Sequence, residues 1–225
     1  MDITIETTAD GTPTLYRADI DEHYHSVKGA LAESRHVYVE SGWRKAAETH
    51  RPVRVFEVGF GSGLNAAVTA SAASEAEIPT EYYSAELYPL PTETAALISK
   101  SIPEEYLKAF AEVNHALWNE RIQINPFFML MKMEANLLTM TLPADIDAVY
   151  FDAFAPEKQP EMWDEAIFRR LYAAMRPGGI LTTYCAKGNI RRMLRQIGFL
   201  TERLPGPPGG KREILRASKP IELKE

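Results

Sequence analysis

The chain has little that would tie it to a membrane, a secretory route or a metal. A single cysteine, Cys185, in 225 residues excludes an internal disulfide and a cysteine-cluster metal site. It falls in an expected strand and reads as core. No apolar run is long enough to cross a membrane, and the opening MDITIETTADG lacks both the basic start and the apolar block of a signal peptide. A soluble, cytoplasmic protein is expected. Histidines number only five, and His23 and His25 on either side of Tyr24 have no further candidate ligands nearby in the sequence, so no metal is expected. Positive charge is also short: 25 Lys and Arg face 31 Asp and Glu, a net charge of −6, which argues against an RNA partner until its distribution is considered. Repeats, low-complexity tracts and domain linkers are absent too, and nothing in the sequence fixes an oligomeric state.

What is there suits one α/β domain. A hydrophobic share of 45% over 225 residues is enough for a sizeable core and short for two independent enzymes. Past residue 50 the chain alternates strand and helix, the pattern of a mostly parallel sheet with helices on both faces. Strands are expected near Arg54 to Val58, Thr80 to Glu86, Phe127 to Lys132, Ala148 to Phe151, Ile180 to Tyr184 and Glu213 to Ala217. Between the fourth and fifth, Ile167, Phe168, Leu171, Tyr172 and Met175 share one helical face, with Asp164 as N-cap and Pro177-Gly178-Gly179 as the stop. Residues 1–50 read as a hairpin turning at Asp10-Gly11 plus a helix, an N-terminal extension packed on the domain formed by 51–225. Gly206 to Gly210, GPPGG, reads as a surface loop between two final strands.

The run VFEVGFGSGLN, Val55 to Asn65, carries the chemistry. A strand holding an acid, Glu57, is followed by Gly59, Gly61 and Gly63 and then an apolar helix, so the chain turns sharply beneath a nucleotide-like ligand. The dinucleotide fingerprint is G-x-G-x-x-G with its acid about 20 residues downstream; here the third glycine comes one residue early and an acid lies inside the strand. That variant resembles the S-adenosylmethionine motif of Rossmann-like methyltransferases. Glu86, closing TEYYSAE, stands where such folds set a carboxylate against two ribose hydroxyls. Glu134, closing FFMLMKME, contacts the adenine or caps a following helix.

YFDAFAPEKQPEMW, Tyr150 to Trp163, brings Asp152 out at the carboxyl end of a buried strand. Helix capping or a salt bridge would account for an isolated acid there. Next to the glycine motif, Asp152 with Phe154, Pro156, Pro160 and Trp163 reads instead as a rigid, aromatic-walled acceptor pocket. From Lys187 to Lys219 nine Lys and Arg stand against two acids. Ile190, Met193, Leu194 and Ile197 form an apolar helical face that leaves Arg191, Arg192 and Arg195 together on another. With Lys211 and Arg212 they read as a phosphate-binding patch, the alternative being a solvated helix face.

Four blocks, YHSVKGALAESRHVYVESG (Tyr24 to Gly42), FEVGFGSGLN, DAFAPEKQPEMW and GGKREIL (Gly209 to Leu215), resemble the methyltransferase half of the MnmC enzymes and their stand-alone relatives. The DAFAP-x-K-x-P-x-x-W block is far more specific than the glycine motif. The resemblance implies a tRNA partner and methylation of the primary amine of 5-aminomethyl-(2-thio)uridine at the wobble position. It puts S-adenosyl-L-methionine on Glu57, Gly59, Gly61, Gly63, Glu86 and Glu134 and makes Asp152 the active-site acid, either accepting a proton or holding the amine. It also implies that these 225 residues lack the flavin-dependent oxidoreductase of bifunctional relatives. The sequence departs from the family pattern at Glu134, Gln159 and Leu87, where Asp, Asn and a basic residue are expected. A methyltransferase with a protein or small-molecule acceptor and a non-catalytic binding module are the other readings.

Overall fold

A computed structural model describes residues 3–19, 21–24 and 28–221. Strands β1 (Ile3–Thr7), β2 (Pro13–Arg17) and β3 (Glu22–His23) form a small antiparallel sheet. Its first turn is held by Asp10, whose Oδ1 accepts from Thr8 Oγ1 at 2.6 Å and from Thr12 N at 3.1 Å. One helical turn, α1 (Ala30–Glu33), runs on into a π-helix over Ser34–Arg44. Ser41 Oγ donates to the His36 carbonyl within it at 2.7 Å, and Gly42 lets it lie against the sheet, where a Cβ would come 3.0 Å from Thr182 Oγ1.

The main sheet follows as β4 (Val53–Val58), α2 (Leu64–Ala76), β5 (Thr80–Glu86), α3 (Thr92–Ser99), α4 (Glu104–His115), β6 (Arg121–Asn125), β7 (Phe128–Glu134) and β8 (Ile146–Phe151). After a 3₁₀ turn at Pro160–Trp163 come α5 (Glu165–Ala174), β9 (Met175–Thr183), α6 (Gly188–Ile197), β10 (Leu200–Pro205) and β11 (Glu213–Ser218). Strand order is β10-β11-β9-β8-β4-β5-β7-β6, with β7, β5, β4, β8 and β9 parallel in succession and β6 antiparallel to β7. β11 runs antiparallel to both β9 and β10. The period-2 alternation of buried strands serves two cores. Val53, Val55, Ala148 and Tyr150 join one with the π-helix, α2 and α4, whereas Phe56, Val58, Val149 and Phe151 join the other with α5 and α6. Leu15, Val37 and Tyr38 belong to the first core, so the leading segment packs on the same sheet.

The expected Rossmann-like α/β fold is therefore the one observed, and Asp164 caps α5 through a bond from Ala166 N to its carboxylate at 2.8 Å. The expected stop of α5 is corrected. The helix ends at Ala174, and Pro177-Gly178-Gly179 lies inside β9. Met175 pairs with Ile146, and the register then shifts before Ile180 pairs with Ala148. The glycines serve this irregularity: Gly178 has φ of 81°, and a Cβ on Gly179 would meet the Arg176 carbonyl oxygen at 2.9 Å.

Candidate active site

The strand order reverses between β4, which continues to β5 on one side, and β8, which continues to β9 on the other. Ligands of open α/β sheets bind beyond the carboxyl ends of such a pair. Gly59 follows β4 and Asp152 follows β8, and the two segments touch: Asp152 N donates to the Val58 carbonyl at 3.3 Å. The loop glycines have φ of 86°, 51° and 81°, a region costly for other residues, and Gly63 opens α2 directly. A Cβ on Gly59 would stand 3.3 Å from the Asp152 carbonyl oxygen, and one on Gly61 3.0 Å from Tyr24 Cδ1.

Two open clefts meet at this point. The first spans about 790 Å³ of space that includes open solvent and is lined by the glycine loop, Glu86 to Tyr88 beyond β5, Ala135 to Leu137 beyond β7, Asp152 to Phe154, Gln159 and Met162, with Arg17 and Tyr24 from the leading segment. Glu86 accepts hydrogen bonds from Gly61 N at 3.2 Å and Tyr88 N at 2.9 Å, while burial raises its pKa. This cleft fits S-adenosylmethionine by its donor set. The loop offers bare backbone at Gly59 and Gly61, a carboxylate stands at the tip of β5, and apolar side chains such as Phe60 and Leu137 flank both.

The second cleft spans about 650 Å³ of space, open solvent included, between Glu22, His23, Tyr24, Glu33, Asp152 to Ala155, Tyr184 and Lys211. Tyr24, Asp152, Ala153 and Phe154 border both clefts. Phe154 packs edge-on against Tyr24 at 5.2 Å, and the Arg17 guanidinium lies 5.7 Å from its ring. Although much of Lys211 is exposed, its ammonium turns inward to 3.4 Å from the Tyr184 ring centroid, and burial lowers its pKa against the pull of Glu33 and Asp152.

Asp152 is the pivot. Tyr38 Oη donates to Oδ1 at 2.5 Å and Asn65 Nδ2 to Oδ2 at 2.8 Å. Burial pushes its pKa up to about 6, the two hydrogen bonds and the charge of Lys211 pulling the other way. Behind it, Glu57 is completely buried and pushed up to about 8, again chiefly by burial.

Gly59, Gly61, Glu86, Asp152, Phe154 and Lys211 thus gather around the two clefts, as the sequence pattern leads one to expect of a shared site. Gly63 turns the chain into α2 one step behind the lining. Several other candidates are placed elsewhere. Glu57 faces the protein interior, bonded by Ser84 Oγ at 2.7 Å. Glu134 is exposed, and no helix follows it; Ala135 to Leu137 line the first cleft, and Asn136 Oδ1 braces that turn by accepting from Leu138 N at 2.9 Å. Trp163 is buried under the pocket loop rather than forming its wall: its Nε1 donates to the Phe154 carbonyl at 2.8 Å, and its ring packs 4.9 Å from Phe151. Pro156 is half-buried and outside the lining, stiffening that loop from behind.

Arg191, Arg192 and Arg195 lie on α6, where Arg192 and Arg195 are exposed, Arg191 is half-buried and its Nε is shielded; none lines either cleft. Arg212 is exposed in the loop before β11. Lys211 belongs to the second cleft and not to a surface patch with them. His23 Nε2 pairs with Glu6 Oε2 at 2.9 Å, and His25 lies outside the described residues. Among the described residues no group of three His, Cys, Asp or Glu could hold a metal, and no helix is long and apolar enough to cross a membrane.

Sequence reasoning missed Tyr38, Asn65, Tyr24 and Tyr184. Asn65 sits two residues past the last loop glycine, within the recognised motif, and Tyr24 and Tyr38 fall in the first of the four blocks, where their polar atoms carried the signal.

A glycine loop, an acid at the tip of the next strand and a second cleft sharing Asp152 suit a transferase that brings a nucleotide-like methyl donor to an acceptor. Residues 93–220, more than half of the chain, match the family described as S-adenosyl-L-methionine-dependent methyltransferase, and the chain belongs to that family. It is similar to the tRNA 5-methylaminomethyl-2-thiouridine biosynthesis bifunctional protein MnmC of Cupriavidus necator, 33% identical over 224 residues that cover 94% of this chain and 33% of that protein. The MnmC protein of Marinomonas sp. is 31% identical, over 91% of this chain and 32% of its own length. The chain spans about a third of the length of these curated relatives. Among solved structures, MnmC2 from Aquifex aeolicus superimposes with a TM-score of 0.80 at 26% identity, over 100% of this chain and 73% of that one. Spermidine synthase from Thermotoga maritima, at 16% identity and a TM-score of 0.61 over 98% of this chain and 70% of that one, shares the fold. The expected likeness to the methyltransferase portion of MnmC enzymes and the S-adenosylmethionine cofactor are borne out.

Proposed function

We propose that this methyltransferase acts on tRNA, transferring a methyl group to the primary amine of 5-aminomethyl-(2-thio)uridine at the wobble position to give the 5-methylaminomethyl form. The observation that carries the reading is the placement of Asp152 where the cofactor cleft and the second cleft meet. The names of the MnmC relatives support the acceptor.

S-adenosylmethionine, when bound, would supply an electrophilic methyl carbon on a sulfonium and leave as the thioether once its carbon–sulfur bond breaks. Gly59, Gly61 and Glu86 would hold it, with Tyr24 and Phe154 closing the space around the reacting groups against water. The acceptor nitrogen gains one methyl and gives up one proton. Asp152, ionised at neutral pH with a pKa of about 6, holds the amine by a charge-assisted hydrogen bond and accepts that proton more readily than an ordinary aspartate would. Lys211 faces the same cleft and disfavours a second cation there, so the acceptor enters as the neutral amine that attack requires. Arg192, Arg195 and Arg212, exposed within the basic terminal segment, grip tRNA phosphates.

The test is incubation of the purified protein with labelled cofactor and tRNA from cells lacking the final methylation, followed by nucleoside analysis. Label in 5-methylaminomethyl uridine is expected. Label only in protein or small molecules, or none, would overturn the acceptor.

A further inference from the structure

Glu57 stands on β4 directly behind the glycine loop, fully buried and outside both clefts. A charged carboxylate in such a place is costly without a cation or a full set of donors. The groups against it are Ser84 and Tyr82 from β5, Asn65 from α2, Asp152 beyond β8 and Tyr150 on β8, none of them cationic. Ser84 satisfies Oε2. The Asn65 side chain bridges the two carboxyl groups, donating Nδ2–H to Asp152 and contacting Glu57. Oε1 of Glu57 and Oδ1 of Asn65 are both buried acceptors without a hydrogen-bond partner among the described residues, and the Tyr82 hydroxyl, likewise without one, is the donor that stands beside Glu57. One hydroxyl serves at most one of the two acceptors, and a proton on Glu57, which turns an acceptor into a donor, serves the other.

We propose that Glu57 is kept as a neutral carboxylic acid and acts as a positioning residue: its proton fixes the Asn65 amide, so that Asn65 presents Nδ2–H to Asp152 and the negative charge of the cluster stays on Asp152, facing the acceptor. Two neighbouring carboxyls whose environments separate their pKa values divide the roles of donor and charge in this way. Burial supports the assignment, holding Glu57 at about 8 and Asp152 at about 6. Tyr38, Tyr82 and Tyr150, which face the pair, are all raised above their ordinary value by burial and stay protonated through this range. Lys211 acts on Asp152 from the cleft side. Lys132, lowered to about 8, titrates in the same window but faces Phe60, Trp118 and the Asn114 carbonyl instead.

The inference rests on the role of Asp152 proposed above, and its experiment has one arm that needs no acceptor. Infrared spectroscopy with isotope-labelled glutamate should show a carboxylic-acid band at neutral pH that bleaches near pH 8 and is missing from Glu57→Gln. In turnover assays, Glu57→Leu and Asn65→Ala should each lower kcat by about 10-fold or more while cofactor affinity, read by calorimetry, stays within about 3-fold. Glu57→Gln, which keeps a donor, should rescue kcat relative to Glu57→Leu and abolish the fall in turnover above pH 8. An absent acid band, an alkaline limb unchanged in Glu57→Gln, or loss of cofactor binding in that variant would overturn the proposal, the last making Glu57 a cofactor ligand. If Glu57→Leu fails to fold, Asn65→Ala and the infrared arm decide. An acid band in a wild-type protein inactive on tRNA refutes the acceptor and leaves the protonation of Glu57 standing.

Discussion

At Asp152 two opposing influences meet: burial disfavours its charge, while Tyr38 and Asn65 donate to the ionised form. The balance predicts the direction of two experiments. Turnover needs the carboxylate, so the rate should rise with pH through about 6 and level off until Glu57 ionises near 8. Tyr38→Phe removes one donor to the charged form, which raises the pKa of Asp152 and shifts that acidic limb upward by about one to two units, a hydrogen bond to a charged group being worth ~1.5–3 kcal/mol. The variant should lose several-fold at neutral pH and recover when the pH is raised, as pH profiles of kcat would record; a profile merely scaled down at every pH would deny the contact its role. Asp152→Ala, by contrast, should cost tens- to a few hundred-fold wherever the wild-type carboxylate is ionised, a loss of about 2–3 kcal/mol, with cofactor affinity within a few-fold. Near wild-type turnover in a folded Asp152→Ala protein would remove it from the mechanism.

Among the elements, the glycine loop was the most legible from sequence, because its requirement is on the backbone and only glycine meets it cheaply at three positions with positive φ. Gly61→Val should therefore lower cofactor affinity by at least ~10-fold: a β-branched residue at φ of 51° is strained by about 1–3 kcal/mol, and its Cβ would press on Tyr24. Calorimetry giving an unchanged affinity would displace the cofactor from this loop. The parallel strands were legible as well, since runs such as VRVFEV and IDAVYF are apolar enough to be buried on both faces. The antiparallel edge strand β6, RIQIN, was not, because its exposed and half-buried residues give no continuous apolar run. Nor could the π-helix register of Ser34–Arg44 be read, since the same composition supports an α-helix and the difference lies in its packing on the sheet. Glu57 and Trp163, expected on the cofactor and in the acceptor wall, lie one layer behind the clefts. A motif shows which residues a site requires, and only the packing around them separates a residue that touches the ligand from one that holds its neighbour.

For the molecule as a whole, charge works at two ranges. The surface carries a net −6 with its cations concentrated toward the carboxyl end, so tRNA affinity should fall steeply with added salt, and more gently in Arg192→Glu/Arg195→Glu, which removes phosphate contacts without touching the buried face of Ile190 and Leu194. Filter binding over a salt series reads both slopes, and identical slopes would make α6 a solvated helix.

Buried charge governs stability. Glu57 is raised from 4.5 to about 8, Asp152 from 3.8 to about 6, and Glu86 is raised as well. Between their ordinary and folded pKa values the native state holds protons that the unfolded chain has released, so stability is fullest below those ordinary values and is lost as pH rises toward 8. Lys132 has the opposite sign. Lowered from 10.5 to about 8, it is uncharged in the native state while still protonated in the unfolded chain, and stability returns as pH climbs beyond 8 toward 10.5. The two trends set a minimum near pH 8. Urea denaturation across this range should show the dip, Glu57→Gln should flatten the falling side between about 6 and 8, and Lys132→Met should reduce the rise beyond it, to which Lys211, also lowered, contributes. A wild-type curve flat from pH 5 to 8, or a falling side that survives in Glu57→Gln, would mean that the carboxyl behind the glycine loop ionises together with its neighbour, and that the cluster holds two charges where one is expected.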